Sequence, residues 1–290
     1  MVKEVHKVVK QSNEYRLIIA NSATSINEIN VNDVVVDGSH SGRNVGEMIA
    51  DAAVRGRIGN DAGMGKGKAG IEGLRILEEA GIPAAAVFST SARIGDGTST
   101  YEEGVISSIN TIGKSLGITS GMTAKAAANL MFEASLRKKA QVTQRKARSG
   151  RTSGKDSQQK MVETSGKSRI IVVDTTSDIN ETNSNDVIVT GSHQGLNSGH
   201  YLSGLGIKGA IGNDAGLGKD DAGIAGLKIL DEHGILGAAV SSMSARIGNG
   251  KSTYEQGKIS AVNKTAEKLG LIAGMPTKEA AIRMLDACKK

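Results

Sequence analysis

Gly59-Asn60-Asp61-Ala62-Gly63-Met64-Gly65-Lys66 occurs a second time as Gly212-Asn213-Asp214-Ala215-Gly216-Leu217-Gly218-Lys219. Each copy follows a short apolar run and precedes a helical pattern. That is where an open α/β sheet carries a ligand-binding loop. Working outward from it, residues 16–137 align with 169–290 at a constant offset of 153, without a gap. Roughly half the positions are identical, which marks a duplicated structural unit. The identities are uneven. Arg43–Arg57 is mostly changed, whereas Ile58–Leu77 and Ala85–Glu102 are mostly kept.

Each copy reads as strands alternating with helices. In the first, Tyr15–Ala20 is predicted as a strand and Ser22–Asn32 as a polar connection. Val34–Val36 is a second, fully apolar strand that ends in the turn Asp37–Gly42. Asn44–Val54 is helical, and Gly56–Gly59 is a short third strand. After the Asn60–Lys68 loop, Ile71, Leu74 and Leu77 fall at helical spacing within Ala69–Ala80, which stops at Gly81. Pro83–Phe88 is the fourth strand. Ser99-Thr100-Tyr101-Glu102 has the capping-box pattern and recurs as Ser252-Thr253-Tyr254-Glu255. The helix it starts is expected to run to about Leu116. A last helix covers Ala124–Arg137. Apolar strands between helices favour a parallel sheet covered on both faces. The expected fold is α/β, with two tandem Rossmann-like three-layer units, mainly parallel sheets, packed as an intramolecular pseudo-dimer. The boundaries are an N-terminal tail over 1–14, the first unit over 15–137, a linker over 138–168 and the second unit over 169–290.

With 38 glycines, 2 prolines and 2% aromatic residues, the core must be built from aliphatic side chains and Met. The single cysteine, Cys288, excludes an internal disulfide and a cysteine-based metal site. The first residues lack an apolar signal core, and no apolar run reaches membrane-spanning length, so a cytoplasmic protein is expected. The net charge of +6 is local: Arg137–Arg169 holds 11 Lys/Arg against 2 Asp/Glu, which leaves the rest of the chain at −3. That describes a basic flexible tether, with a span of roughly 30 Å. The neutral units and few aromatics argue against a nucleic-acid surface.

Three loops follow three strands and would share the carboxyl edge of a parallel sheet. The first keeps Ser39-His40 as Ser192-His193, the only repeated histidines of five. Near-neutral imidazoles act as acids, bases or metal ligands, or brace a turn. Ser39 lies too close in sequence to His40 for a good Ser–His dyad. The second loop resembles a phosphate cradle but lacks the Walker pattern, and its second copy loses the middle Gly of G-x-G-x-x-G. What persists is an Asn-Asp-Ala-Gly-x-Gly-Lys entry to a helix, suited to an anion. The third keeps Ser91-Ala92-Arg93 as Ser244-Ala245-Arg246, and Arg suits bidentate binding of carboxylate or phosphate.

These residues point first to an enzyme on a small anionic metabolite, by hydrolase, lyase or isomerase chemistry at two similar sites. Nicotinamide hydride transfer and a Walker-type NTPase do not fit the inventory. The assigned catalytic residues are His40, His193, Asp61, Asp214, Ser39 and Ser192. The binding residues are Asn60, Asn213, Gly63, Gly216, Lys66, Lys219, Ser91, Ser244, Arg93 and Arg246. No cofactor is predicted; a divalent metal on His40 and Asp61 is the alternative left open. The expected partners are the anionic ligand and the opposite repeat unit, with a higher homo-oligomer also left open and no membrane. Two other readings compete: a non-catalytic sensor for a phosphorylated or nucleotide-like ligand, and a scaffold docking on nucleic acid through the tether.

Overall fold

The computed structural model describes residues 6–137 and 159–288. They form two compact units. The first holds the described residues up to 61 and from 70 to 137, and the second holds 62–69 with those from 159 onward.

In the first repeat the order is β1 (Lys7–Ser12), β2 (Tyr15–Ala20), β3 (Asp33–His40), α1 (Arg43–Ala52), β4 (Gly56–Asn60), α2 (Gly73–Glu79), β5 (Ala84–Val87), α3 (Gly97–Glu103), β6 (Ile106–Ile109), α4 (Thr111–Ser115) and α5 (Ala124–Arg137). The second repeats it as β7 (Lys160–Ser165), β8 (Ser168–Val173), β9 (Val187–His193), α6 (Leu196–Ser203), β10 (Gly209–Asn213), α7 (Gly226–Glu232), β11 (Leu236–Val240), α8 (Gly250–Gln256), β12 (Ile259–Val262), α9 (Lys264–Lys268) and α10 (Thr277–Ala287). Each unit contains one six-stranded mixed sheet whose strands lie side by side in chain order. The four inner strands are parallel, and each outer strand is antiparallel to its neighbour.

The pleat explains the two cores. Ile18, Val35, Ala84 and Ala86 point to one face, where Val45 and Ile49 of α1 and Leu74 and Leu77 of α2 cover them. Leu17, Ile19, Val34, Val36 and Ile58 point to the other, beneath Tyr101 of α3 and Met131 and Phe132 of α5. Burying such aliphatic side chains contributes about 1.5–3 kcal/mol each. The second unit has the same two cores. The chain therefore forms a two-unit α/β fold. Its sequential strand order differs from the doubly wound order, which reverses in the middle of the sheet.

Several sequence expectations change. The supposed tail contains β1, which pairs antiparallel with β2, and the end of the supposed linker contains β7, its equivalent. Both strands are largely exposed and Lys-bearing, so they lack the apolar alternation of a half-buried strand. The remainder of that linker, 138–158, lies outside the described residues. β3 runs on through His40, well past Val36, and carries a register shift against β4. The capping box is displaced. Asp96 caps α3 by accepting from Ser99 N, while Ser99 Oγ accepts from Arg93 N and donates to Glu103. α3 then ends at Glu103, because Gly104 turns extended (φ −62°, ψ 136°), and the predicted long helix gives way to β6.

Candidate functional site

The three repeated loops follow β3, β4 and β5 in the first repeat, and β9, β10 and β11 in the second. Since these strands are parallel, the loops share the carboxyl edge of each sheet.

His40 ends β3 opposite Asn60, as His193 ends β9 opposite Asn213. The His40 Nδ1 accepts from Gly42 N at 3.0 Å, and the His193 Nδ1 accepts from Gly195 N at 3.1 Å. A backbone N–H can only donate, so in the neutral ring the proton sits on Nε2. A backbone amide, and not a carboxylate, thus fixes the Nδ1 side of each ring. Both rings are buried, and desolvation lowers the His193 pKa from 6.5 to about 4. Near pH 7 that ring is a neutral Nε2–H donor.

Ser39 and Ser192 brace the preceding connection. Their hydroxyls accept from Ala23 N (2.9 Å) and Thr176 N (3.0 Å).

The second loop is left-handed. Ala62, Gly63, Met64 and Gly65 have φ of 49°, 65°, 59° and 63°, and Ala215, Gly216, Leu217 and Gly218 repeat this at 50°, 71°, 61° and 71°. Holding a non-Gly residue there costs about 1–2 kcal/mol, so side chains must hold it. Asn213 Oδ1 accepts from Ala215 N, and Asp214 Oδ1 accepts from both Gly216 N and Ser242 N. Asp61 Oδ1 likewise accepts from Ser89 N. Asn60 and Asn213 donate to Ala92 O and Ala245 O in the third loops. The Asn-Asp pairs therefore staple loop two to loop three. A side chain on Gly216 would come within 3.1 Å of Gly63 Cα, which explains why both positions are glycine.

Lys66, within the segment that clusters with the second unit, donates from N to Ser242 O (2.8 Å) and from Nζ to Ser244 O and Gln256 Oε1 (3.0 Å each). Lys219 opens the 3-10 turn Lys219–Asp221 with its side chain half-buried. Ser91 Oγ donates to Phe88 O and accepts from Val105 N, and Ser244 does the same between Ser241 O and Lys258 N. Arg93 pairs with Glu103 at 3.2 Å. In the second unit Gln256 stands at the position of that carboxylate. Tyr101 and Tyr254 are core residues, and burial raises both phenol pKa values.

Two buried groups were not anticipated from the sequence. Arg57, fully buried on β4, binds both carboxylate oxygens of Asp37 at 2.8 Å, Ser41 Oγ at 3.0 Å and His40 O at 3.1 Å. The pair escapes a search for repeated residues because the second copy has Thr190 and Ala210. Asn110, repeated as Asn263, closes Ala84 N, Ile82 O and Gly113 N around the start of α4. Its recurrence at the offset of 153 was the available signal.

Among the described residues, no group of three or more His, Cys, Asp or Glu side chains could hold a metal ion, and no helix is long and apolar enough to cross a membrane. In comparisons with known proteins, no family model, curated protein or solved structure matches the chain. The site is read from its own chemistry.

Proposed function

We propose that the chain is an enzyme acting on a small carboxylate- or phosphate-bearing metabolite by proton-transfer chemistry of hydrolase, lyase or isomerase type, with one site on each unit. The observation that carries this reading is His193. Its Nδ1 is committed to Gly195 N, and burial keeps the ring neutral near pH 7. A neutral imidazole with its proton on Nε2 donates to a substrate oxygen and stabilises the negative charge that develops there. Asp214, on the adjacent loop, supplies a carboxylate for the opposite proton transfer. Arg246 supplies positive potential for the substrate anion. His40, Asp61 and Arg93 take the same roles in the first unit. Ser39, Ser192, Ser91 and Ser244 serve better as braces than as nucleophiles, given the bonds they make. Replacing both histidines by Ala should abolish turnover while ligand-induced stabilisation persists. Full activity in that double variant would sink the role.

A second reading has its own support. Asp214 Oδ1 already holds two backbone amides, and the site serines are occupied by backbone partners. A loop cluster so committed to its own geometry suits a non-catalytic sensor of the same anions. Stabilisation by a ligand that is recovered chemically unchanged would favour the sensor.

Pairing of the repeat units as an intramolecular pseudo-dimer of Rossmann-like halves, and residence in the cytoplasm, belong to the same proposal. The gapless duplication supports the pairing. If it is right, residues 6–137 expressed alone should dimerise.

A further inference from the structure

The two sites carry the same histidine geometry on different foundations. In the first unit the segment 37–41, which presents His40, rests on the buried Arg57 guanidinium. Besides Asp37, Ser41 Oγ and His40 O, Arg57 reaches Ser39 O at 3.3 Å. Gly59 is required beneath it, since a Cβ there would lie 2.3 Å from Nη2. In the second unit Arg57 and its two side-chain partners have all changed: Asp37 to Thr190, Ser41 to Gln194 and Arg57 to Ala210. Ala210 offers no side-chain donor. Gln194 turns back over Gly212, its Nε2 reaches Ala210 O at only 3.5 Å, and its buried Oε1 has no partner. The backbone bonds around the two histidines otherwise match: Ser41 N donates to Asn60 O as Gln194 N donates to Asn213 O. Thr190 Oγ1 still accepts from Ser192 N (3.1 Å), as Asp37 Oδ1 does from Ser39 N (2.9 Å); what differs is the support that Arg57 and Ser41 give to the strand end.

We propose that Asp37, Ser41 and Arg57 form a positioning set for His40 that the second unit has given up, so that the His40 site is firmly held while the His193 site opens locally more often and tightens when its ligand binds. The proposal rests on reading His40 and His193 as site residues. A charged, multiply bonded guanidinium holds several groups in one arrangement, and its planar fork loses little freedom per bond formed. An amide with one long bond and one unpartnered oxygen leaves its strand end to open locally at lower cost. Binding at such a site includes that ordering cost, which lowers affinity and gives the site a larger response to its ligand.

The test is amide hydrogen exchange on the full chain without ligand, corrected for intrinsic rates, in peptides covering 37–42 and 190–195. Residues 192–195 are expected to exchange at least about tenfold faster than 39–42, a difference of about 1.4 kcal/mol in opening. Equal or reversed rates would overturn the proposal without any variant being made. The triple variant Asp37→Thr, Ser41→Gln, Arg57→Ala carries the second unit's own set into the first. It should bring 39–42 to the rate of 192–195 and shift the ¹⁵N signals of the His40 imidazole toward those of His193. An unchanged His40 signature would show that the set is only structural. Added inorganic phosphate then separates the two claims. Protection that grows more in 192–195 than in 39–42 supports both. If phosphate protects neither segment, anion binding fails, and the positioning claim is decided by the ligand-free rates alone.

Discussion

Removing Arg57 alone and replacing its whole set should have very different costs. Arg57 and Asp37 are both fully buried and bind each other through two 2.8 Å bonds. Arg57→Ala leaves the Asp37 carboxylate buried without its partner and strips donors from Ser41 Oγ and His40 O. Breaking a buried pair by deleting one member costs about 3–5 kcal/mol. At roughly 2–4 °C per kcal/mol, the melting transition should fall by roughly 6–20 °C. The triple variant Asp37→Thr, Ser41→Gln, Arg57→Ala removes both charges together and installs a neutral set around which the second unit already folds, with Thr190, Gln194 and Ala210 all buried. Removing both charges together leaves no uncompensated buried charge, and the buried Gln oxygen it introduces adds a smaller penalty, so its cost should be about 1–2 kcal/mol. Urea unfolding at pH 7, followed by far-ultraviolet circular dichroism, reads both. A triple variant as unstable as Arg57→Ala would refute the reasoning, and so would an Arg57→Ala loss below about 1 kcal/mol.

Other outcomes follow from single residues. His193 binds its proton in the folded chain only below about pH 4, but in the unfolded chain below about 6.5. Between those values the unfolded state holds a proton that the native state refuses. Stability should therefore rise with pH across that window, by roughly 3 kcal/mol, and level off above it. His193→Gln should remove that part of the slope in urea titrations at pH 4 to 7, and an unchanged slope would rule out a neutral buried ring. Ala53 closes α1 in the left-handed region at φ 54°, where the second unit has Gly206 at φ 69°. Ala53→Gly should stabilise the first unit by about 0.5–1 kcal/mol, because relief of left-handed strain exceeds the added freedom of the unfolded chain; a lower urea midpoint would contradict this. Gly191→Ala would place a Cβ 2.3 Å from Asn249 N. Loss of the native near-ultraviolet signal or of soluble protein is expected, whereas a native-like melt would show that the loop tolerates the shift.

Much of the fold is legible in the sequence where side-chain periodicity coincides with burial. Tyr15–Ala20 and Ala124–Arg137 have the predicted limits because each is apolar along its buried face and borders polar sequence. β1 and β7 escape notice because an exposed outer strand need not alternate. β6 escapes because Ile106–Ile109 continues an apparent helix, and only the extended turn at Gly104 separates them. The repeated Asn-Asp pairs, histidines and serines lie on strand ends and loops at one edge of each sheet. Their bonding directions were not legible, since these depend on which backbone amides the left-handed loop turns inward. The Arg57–Asp37 pair joins strands 20 residues apart and is not repeated, so neither local pattern nor duplication points to it.

The central claim is that the histidines at the ends of β3 and β9 perform chemistry on a small anion. The most direct measurement incubates the intact chain with a panel of carboxylate- and phosphate-bearing metabolites and follows product formation by mass spectrometry, beside the His40→Ala, His193→Ala double variant. The account predicts that at least one metabolite is converted, that the double variant converts it at least about 100-fold more slowly, and that the same compound still raises the melting temperature of the variant. A compound converted equally by both proteins, or bound by both and always recovered unchanged, would contradict it.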